Sequence, residues 1–310
     1  MAPNIRYGVT LQGTTPDVVT AAREVEELGF DIVGVGEHVF FHGPTSSSIV
    51  LLSAIGAVTS TIELLTSVLV LPLYPAAAVA KMGATLDQVS GGRFHLGVGV
   101  GGEYPGEFAA CGVNPRTRGA ATNRGLREIR GLWRGETIEA SDGAGETYEL
   151  RLDPLPTRVG GPPIWVAGRR DAAVRRAAQF ADYWFPYLYT PEQLAKSIAR
   201  LGDFADERTT GMPPVKAAIH LYTCCHTDGL VARRYASEML SRGYAQDFDQ
   251  HVKKYVMAGT PEECRRRLTE YTSAGAEAVV MASACPAEYQ ERNRRLIADE
   301  VLSAVRGGHS

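Results

Sequence analysis

The hydrophobic pattern of the chain consists of short apolar runs separated by longer segments with helical periodicity. The runs are rich in Val, Ile, Leu and aromatic residues and are mostly apolar on both faces, which is typical of parallel strands buried on both sides. Eight such runs are found, at residues 5–11, 31–36, 62–71, 94–100, 163–168, 182–187, 215–224 and 277–283.

The segments between the runs carry helix start and stop signals. In GTPEECRRRLTEYTSAGAE, residues 259–277, Thr260 is a suitable N-cap, Pro261 fits the first helical turn, and Gly275 follows the last periodic residue. Strand and helix patterns therefore alternate from one end of the chain to the other.

This alternation predicts an α/β fold, a (β/α)8 TIM barrel that forms a single domain over residues 1–310. A doubly wound parallel sheet is the alternative, and the count of eight strands favours the barrel. Two segments exceed a minimal barrel: residues 134–162 are predicted to form a loop with a short hairpin, and residues 240–258 an extra helical piece. Long excursions often shape an active-site opening, so we expect these insertions at the C-terminal mouth.

Charge and composition argue against several classes of function. The chain has 32 basic and 35 acidic residues, a formal net charge of -3 and no basic run, so we expect no nucleic-acid partner. The apolar stretches are shorter than the ~18 residues of a membrane span, so we expect no membrane partner. The N-terminal MAPNIRYGVT leads directly into a strand pattern, which predicts a cytoplasmic protein without a secretory leader. The five cysteines include no C-x-x-C pair and are predicted to be reduced thiols.

In a barrel, catalytic groups lie at the C-terminal ends of strands, and the second run ends in GVGEHVFFHGP. Glu37 and His38 follow this run directly. A histidine here can donate a hydrogen bond or transfer a proton near neutral pH. The alternative is a histidine held in a structural network. Metal binding by His38 and His42 would lack a third ligand, so we expect no metal.

The third and fourth runs also contain unusual residues. Thr66 and Ser67 interrupt an apolar run, and a buried hydroxyl needs a partner in the backbone or in a ligand. In GRFHLGVGVGGEYPGEF, residues 92–108, the glycines do not open a helix in the G-x-G-x-x-G manner, which argues against a dinucleotide-binding loop. We expect the glycines to let the backbone approach a neighbour closely, with Glu103 beside the gap. A flexible rim with a solvated glutamate is the alternative.

The fifth run ends in WVAGRRDAAVRRAA. Ala167 and Gly168 precede a helix that is predicted to begin between Arg169 and Asp171. Small residues, free N–H groups at a helix start and the arginines Arg169 and Arg170 form a suitable site for a phosphate or phosphodiester. A pair of surface-exposed arginines is the alternative.

Four blocks of the sequence resemble the luciferase-like monooxygenase superfamily, and in particular its branch of coenzyme F420-dependent oxidoreductases. The blocks are ELGFDIVGVGEHVFF, SVLVLPLYPAAAVAKMGATLDQVSGGRFHLGVGVGGEYPGEFAACGV, PPIWVAGRRDAAVRRAAQFADYW and AGTPEECRRRLTEYTSAGAEAVVM. Together they cover nearly the whole chain. The block LDQVSGGRFHLGVGVG, followed by E…GEF…CGV, is specific to the superfamily.

The resemblance implies a barrel whose C-terminal mouth holds a flavin or deazaflavin ring, with the cofactor phosphate at the turn after strand 5. It implies a non-prolyl cis peptide at Ser67–Val68 and catalytic roles for His38 and Glu103. VGGE is one residue longer here than the TGE of the sugar-phosphate dehydrogenase subgroup. The cofactor-binding residues implied in this way are Glu37, His38, Ser67, Val68, Gly99, Gly101, Gly102, Ala167, Gly168, Arg169 and Arg170.

Two cofactors are compatible with the resemblance. Coenzyme F420 carries hydride and barely reacts with oxygen, whereas reduced FMN activates oxygen. The first implies hydride transfer to or from a carbonyl or an activated alkene, and the second an FMNH2-dependent monooxygenase. GEHV after strand 2 resembles the F420 branch, which we favour. A non-catalytic flavin-binding barrel protein is a third alternative, and the retained Glu37, His38 and Glu103 argue against it.

Aromatic residues in the loops near the mouth predict a small-molecule substrate with apolar surface rather than a sugar phosphate, with ordinary loop packing as the alternative. These residues are Phe40, Phe41, Tyr104, Phe108, Tyr187 and Tyr189. The alanine-rich second and third helices are candidates for a homodimer face, because relatives often dimerise there.

Overall fold

Short, almost completely buried strands and the helices between them make up the chain. The computed structural model describes residues 5–12, 15–208, 211–244 and 246–307. Within them the strands are β1 (Arg6–Leu11), β2 (Ile32–Val35), β3 (Glu63–Thr66), β4 (Leu69–Val70), β5 (Phe94–Gly99), β6 (Ile138–Ser141), β7 (Thr147–Leu150), β8 (Ile164–Ala167), β9 (Tyr183–Phe185), β10 (Lys216–Cys225), β11 (Met257–Gly259) and β12 (Ala278–Ser283). The helices are α1 (Thr15–Glu27), α2 (Ser48–Val58), α3 (Ala76–Val89), α4 (Pro105–Ala110), α5 (Arg118–Trp133), α6 (Asp171–Phe180), α7 (Pro191–Gly202), α8 (Gly229–Tyr244), α9 (Asp249–Tyr255), α10 (Pro261–Ser273), α11 (Gln290–Leu296) and α12 (Ser303–Gly307).

Parallel pairing closes the sheet into a barrel. Strands β1, β2, β3, β5, β8, β9, β10 and β12 pair in this order, and β12 pairs back with β1. The third barrel strand, or stave, is interrupted after Thr66 and continues as β4, which also pairs with β5. The predicted (β/α)8 TIM barrel and its eight strand positions are therefore confirmed. Strand β11, which pairs with the end of β10, was not predicted.

Both faces of the barrel strands are buried. The outward side chains, such as those of Val33, Leu64 and Ile219, pack under the helices. The inward side chains form a separate apolar core inside the barrel, made of Ile32, Leu65, Trp165, Tyr183, Phe185, Ala218, Ala278 and Val280. Burial on both faces explains why the strands appear in the sequence as continuous apolar runs rather than alternating ones.

Helix α10 shows how local signals set the element boundaries. The Thr260 side chain accepts a hydrogen bond from the backbone N–H of Glu263 at 3.3 Å, and the Glu263 carboxylate accepts one from the backbone N–H of Thr260 at 2.8 Å. This capping box satisfies two N–H groups that would otherwise have no helical partner. Gly275 follows the helix with a φ of 103°, a left-handed conformation that favours glycine. The predicted start and stop of this helix are confirmed.

The two predicted insertions lie at opposite ends of the barrel. Residues 134–162 contain the predicted hairpin, β6–β7, with Ile138 opposite Leu150. The hairpin connects α5 to β8, and helix-to-strand connections lie at the N-terminal end of a barrel, so the structure does not place it at the mouth where we expected it. Within residues 240–258, of which residue 245 lies outside the described part, α9 leads to β11 beside the end of β10. This second insertion borders the mouth, as expected.

In the described part of the chain, no helix combines the length and the apolar character needed to cross a lipid bilayer. All five cysteines are free thiols, and four of them are buried in the core around the end of β10.

Candidate active site

The most distinctive pair at the mouth joins the loop after β2 to helix α4. Nδ1 of the His38 ring lies 3.3 and 3.2 Å from the two carboxylate oxygens of Glu107, whose side chain is completely buried. The His38 ring also stacks on Phe41, with 4.2 Å between the ring centroids. A carboxylate at Nδ1 keeps the proton of a neutral imidazole on that nitrogen, which leaves Nε2 as the acceptor. His38 is thus oriented and held in one tautomer.

Glu107 is the residue that the sequence analysis missed. It belongs to the GEF motif, which we used only to mark the family resemblance, while the acidic role was assigned to Glu103. Its neighbour Phe108 is fully buried against Val70 and Leu73. The apolar residue directly after Glu107 was the available signal that this turn of α4 faces the protein interior.

Glu37 braces the start of the same loop. One carboxylate oxygen accepts hydrogen bonds from the backbone N–H and the hydroxyl of Ser48, both at 2.6 Å, and the other accepts one from the Tyr74 hydroxyl. Burial and the Glu37 charge raise the pKa of Tyr74. Because Ser48 begins α2, Glu37 ties the end of β2 to that helix. The structure therefore places Glu37 behind His38, engaged with protein groups.

The third stave carries the backbone feature that the resemblance implied. The Ser67–Val68 peptide is cis, as expected. Thr66, fully buried, donates to the carbonyl of Gly97 at 2.8 Å and accepts from its N–H at 2.7 Å, so its hydroxyl is satisfied by the backbone. Ser67 lies 3.3 Å from the hydroxyl of Thr10 on β1.

The glycines of the fourth run make room for this interrupted stave. A Cβ on Gly97 would lie 2.0 Å from the Thr66 carbonyl oxygen, and a Cβ on Gly99 would lie 3.0 Å from Val68. The close neighbour predicted for these glycines is therefore the adjacent strand. Further along, Gly101 has a φ of 63°, and a Cβ there would lie 2.5 Å from Val70.

Gly102 and Glu103 lie at the open rim beyond β5. Gly102 has a φ of 116°, and a Cβ there would lie 3.2 Å from the Arg118 guanidinium. Glu103 is exposed and accepts a hydrogen bond from the Tyr187 hydroxyl. Burial and the Glu103 charge raise the pKa of Tyr187. The structure thus brings Glu103 to Tyr187 rather than to His38.

The turn after β8 is the place where the sequence predicts an anion site. Gly168 has a φ of 125°, and a Cβ there would lie 2.7 Å from that of Ala173. Its carbonyl accepts a hydrogen bond from Trp184 Nε1 at 2.9 Å. The side chains of Arg169 and Arg170 are exposed at the start of the ten-residue helix α6, and the Arg169 guanidinium also lies over a tyrosine ring. The first N–H groups of α6 and the two arginines thus lie next to each other in the chain, directly after the partly buried Ala167 at the end of β8.

The aromatic residues predicted to line the mouth fall into different environments. Tyr104 packs edge-on against Phe41 and against His42, at centroid distances of 6.5 and 5.3 Å. Phe40 is 52% exposed and faces solvent. Phe108, by contrast, has no exposed surface, because the turn of α4 buries it in a core cluster. The structure does not place Phe108 where a substrate could contact it.

A second group at the mouth was also missed. His220 and Tyr222 extend from β10, and the Tyr222 hydroxyl lies 2.8 Å from that of Tyr244 at the end of α8. The backbone N–H of His220 donates a hydrogen bond to the carbonyl of Pro186, next to Tyr187. His220 is the fifth of the ten residues of β10, and a histidine inside a largely apolar strand was the available signal for it.

Metal chemistry has no donor set in the described residues, where no three His, Cys, Asp or Glu side chains are close enough to share an ion.

Comparison with known proteins identifies the family. The model of the luciferase-like monooxygenase family matches residues 4–278, and the chain belongs to this family. The pyrimidine monooxygenase RutA of Stutzerimonas stutzeri is 32% identical over 197 residues, which cover 58% of this chain and 53% of that protein. The chain thus spans about half the length of this curated relative.

Solved structures share the fold over nearly the whole chain. The monooxygenase RslO1 from Streptomyces bottropensis superposes with a TM-score of 0.80 at 24% identity, covering 97% of this chain and 100% of that one. An F420-dependent secondary alcohol dehydrogenase in complex with an F420-acetone adduct gives 0.83 at 20% identity, covering 98% and 99%. At these identities the likeness concerns the fold. The chain is therefore a member of the luciferase-like monooxygenase family with the fold that these enzymes share.

Proposed function

We propose that the protein is a coenzyme F420-dependent oxidoreductase that transfers hydride to or from a partly apolar carbonyl compound or activated alkene. The observation that carries this proposal is the His38–Glu107 pair, 3.2 Å apart at the end of β2. It provides one oriented acid–base group at the mouth, which is what the interconversion of an alcohol and a carbonyl requires besides the hydride carrier.

The residues at the mouth fit a tricyclic cofactor with a phosphate tail. Gly97 and Gly99 let the third and fourth barrel strands approach closely at Ser67–Val68, the backbone on which the cofactor ring is proposed to lie. The start of α6, with Arg169 and Arg170, offers N–H groups and positive charge for the phosphate. When bound, a deazaflavin supplies a hydride donor or acceptor, whereas FMN supplies activation of oxygen.

His38 has a defined part in this proposal. With Nδ1 held by Glu107, its Nε2 takes the hydroxyl proton of an alcohol in the oxidative direction and returns it to the carbonyl oxygen in the reductive direction. The Glu107 carboxylate stabilises the imidazolium that forms, so it is a positioning residue. Glu103, bonded to Tyr187 at the rim, is proposed to contact the cofactor or the substrate from the opposite side.

An FMNH2-dependent monooxygenase is the second candidate. It is supported by the pyrimidine monooxygenase relatives and by the fold of RslO1. A non-catalytic flavin-binding barrel is a weaker candidate, because such a protein has no need of a histidine oriented by a buried acid.

Titration of the purified protein with coenzyme F420 and with FMN, each oxidised and reduced and followed by ring fluorescence, tests the proposal. Tighter binding of F420 supports hydride transfer, and preference for reduced FMN with oxygen consumption supports the monooxygenase. Arg169→Ala and Arg170→Ala should weaken binding of either cofactor. Arg175→Ala, on the same helix but paired with Glu207, is the matched control and should not. Failure of both cofactors to bind would refute the proposal.

We also propose a single-domain cytoplasmic protein that forms a homodimer through the outer faces of α2 and α3. Helix α2 contains no charged residue, and Val50 on its outer face is 68% exposed. Val89, at the end of α3, is 62% exposed. Light scattering tests this assignment, because Val50→Lys should convert a dimer into a monomer.

A further inference from the structure

The side of the mouth opposite His38 is an aromatic wall with its own hydrogen-bonding groups. We use this name for Phe185, Tyr187, His220, Tyr222 and Tyr244. Its rings pack edge-on: His220 lies 5.8 Å from Phe185 and 5.2 Å from Tyr222, measured between centroids.

The His220 side chain points toward the barrel axis. On β10 it lies two residues after Ala218, which belongs to the interior core, and side chains two apart in a strand share a face. Ile219 and Leu221, on the other face, pack under the helices. His220 is therefore the first polar side chain of this strand above the interior core, and the residue is partly exposed.

The ring is neutral and its tautomer can be deduced. Burial lowers the pKa of His220 to about 4, so the imidazole carries no charge near pH 7. Its Nδ1 is buried, and no described residue offers it a hydrogen-bond partner. A buried N–H without an acceptor is rarer in proteins than a buried acceptor without a donor. The proton therefore belongs on Nε2, which makes His220 a permanent donor.

His220 and His38 then present opposite chemistry to the same opening. His38 offers an acceptor at Nε2 because Glu107 holds its Nδ1–H, whereas His220 offers an N–H. A neutral histidine can polarise a carbonyl oxygen in this way without needing a charge.

The rest of the aromatic wall selects for an uncharged partner. Burial raises the pKa of Tyr187, Tyr222 and Tyr244, so all three phenols stay protonated. The Arg169 guanidinium lies 4.8 Å from the centroid of the Tyr187 ring and donates a hydrogen bond to the carbonyl of Leu188 at 3.4 Å. The wall itself thus supplies hydroxyls and ring faces, but no free cation for an anionic substrate.

We propose that His220 is the substrate-orienting donor of this enzyme and that the substrate is a neutral, planar aromatic molecule with a carbonyl or ring-nitrogen acceptor. This inference rests on the proposed function, because the substrate would lie at the same mouth as the cofactor.

Three probes of similar size test the substrate class: acetophenone, ethylbenzene and benzoate. Their binding to the cofactor-saturated protein and to the cofactor-free protein is measured by ligand-observed NMR titration. We expect acetophenone to bind about tenfold more tightly than ethylbenzene, as one hydrogen bond allows, and benzoate to bind more weakly than acetophenone. His220→Phe should abolish the preference for the ketone, and His220→Gln, which keeps an N–H donor, should retain it.

A second measurement does not depend on any ligand. Nitrogen-15 NMR of histidine-labelled protein, assigned with the His220→Gln variant, should show protonated Nε2 and bare Nδ1 at His220 between pH 5 and 8. A proton on Nδ1, no preference for the ketone, tightest binding of benzoate, or a preference that survives in His220→Phe would each overturn the inference. Protein that shows the His220-dependent preference but binds neither cofactor would refute only the proposed function.

Discussion

Each end of the barrel carries a histidine paired with a glutamate, and the two pairs are built in opposite ways. At the mouth, the His38 side chain is 20% exposed and its partner Glu107 is completely buried. At the base, His95 is only 2% exposed, while its partner Glu63 is 23% exposed. Nε2 of His95 lies 3.5 Å from Glu63, and Nδ1 accepts a hydrogen bond from Trp165 Nε1 at 3.0 Å.

The difference shows that a histidine–glutamate pair can either leave one ring nitrogen open or close off both. At the mouth the acid is hidden and the ring faces the opening, so one nitrogen is left for chemistry. At the base both nitrogens face protein groups, and Arg6 pairs with the same glutamate. The base pair therefore closes the N-terminal end of the barrel, which is the end that supports stability in this fold.

Replacing the mouth histidine should have the largest effect. His38→Asn should lower kcat by about 10²–10⁴-fold, because the acid–base group is lost, while cofactor affinity and Tm stay near wild type. Steady-state kinetics measure kcat, and fluorescence titration measures the cofactor affinity. His42→Asn, in the same loop, is the matched control and should change kcat little. Equal losses in the two variants would show that the loop, not the His38 ring, matters.

Removing the charge of the buried acid should have the next largest effect. Glu107→Gln should lower kcat by about 10–100-fold with cofactor affinity near wild type, because an amide does not stabilise an imidazolium. Steady-state kinetics measure the change, and the matched variant Glu103→Gln should lower kcat less. If Glu103→Gln lowers kcat more than Glu107→Gln, then the acid partner is the rim glutamate.

The base pair should affect stability and leave catalysis intact. His95→Phe removes the acceptor of the buried Trp165 N–H and should lower the free energy of unfolding by about 1–3 kcal/mol, with kcat unchanged. Urea denaturation followed by tryptophan fluorescence measures the change. A loss of activity in folded His95→Phe would break the division between mouth and base.

The smallest effect concerns pH. Burial holds the pKa of His95 in the folded protein below its ordinary value. The unfolded chain thus binds the proton more readily, and stability should fall as pH drops below about 6.5, by at most ~1.4 kcal/mol per pH unit from this group. Urea titrations at pH 7.5 and 5.5 should show this loss in wild type and a smaller one in His95→Phe. An equal loss in both would assign it to other groups.

The barrel was predictable from the sequence because burial on both strand faces leaves a strong apolar signal, and the count of eight strands favours a barrel over a doubly wound sheet. His38 could be predicted as a candidate site residue because it lies just after the second apolar run. The sequence could not decide between Glu103 and Glu107 as the acid at the mouth, because both follow the end of β5 closely. The packing of Phe108 against Val70 decides which carboxylate turns inward, and that contact belongs to the tertiary structure.

Histidines inside strands posed the same difficulty. His95 and His220 both interrupt apolar runs, yet one lies at the base and the other near the mouth. Their positions within their strands, second of six and fifth of ten, separate them once the strand bounds are known. The tautomers of these histidines depend on partners that are distant in sequence.

The hydrogen bonds that hold the two ends of the loop after β2 have a consequence for engineering. Glu37 fixes one end of the loop to α2, and the Thr45 hydroxyl donates to the His38 carbonyl at 2.8 Å near the other end. Residues 39–44 lie between these anchors and include the exposed Phe40. We therefore expect that the sequence of this short segment can be varied while His38 keeps its place, except at Phe41, whose ring stacks on that of His38.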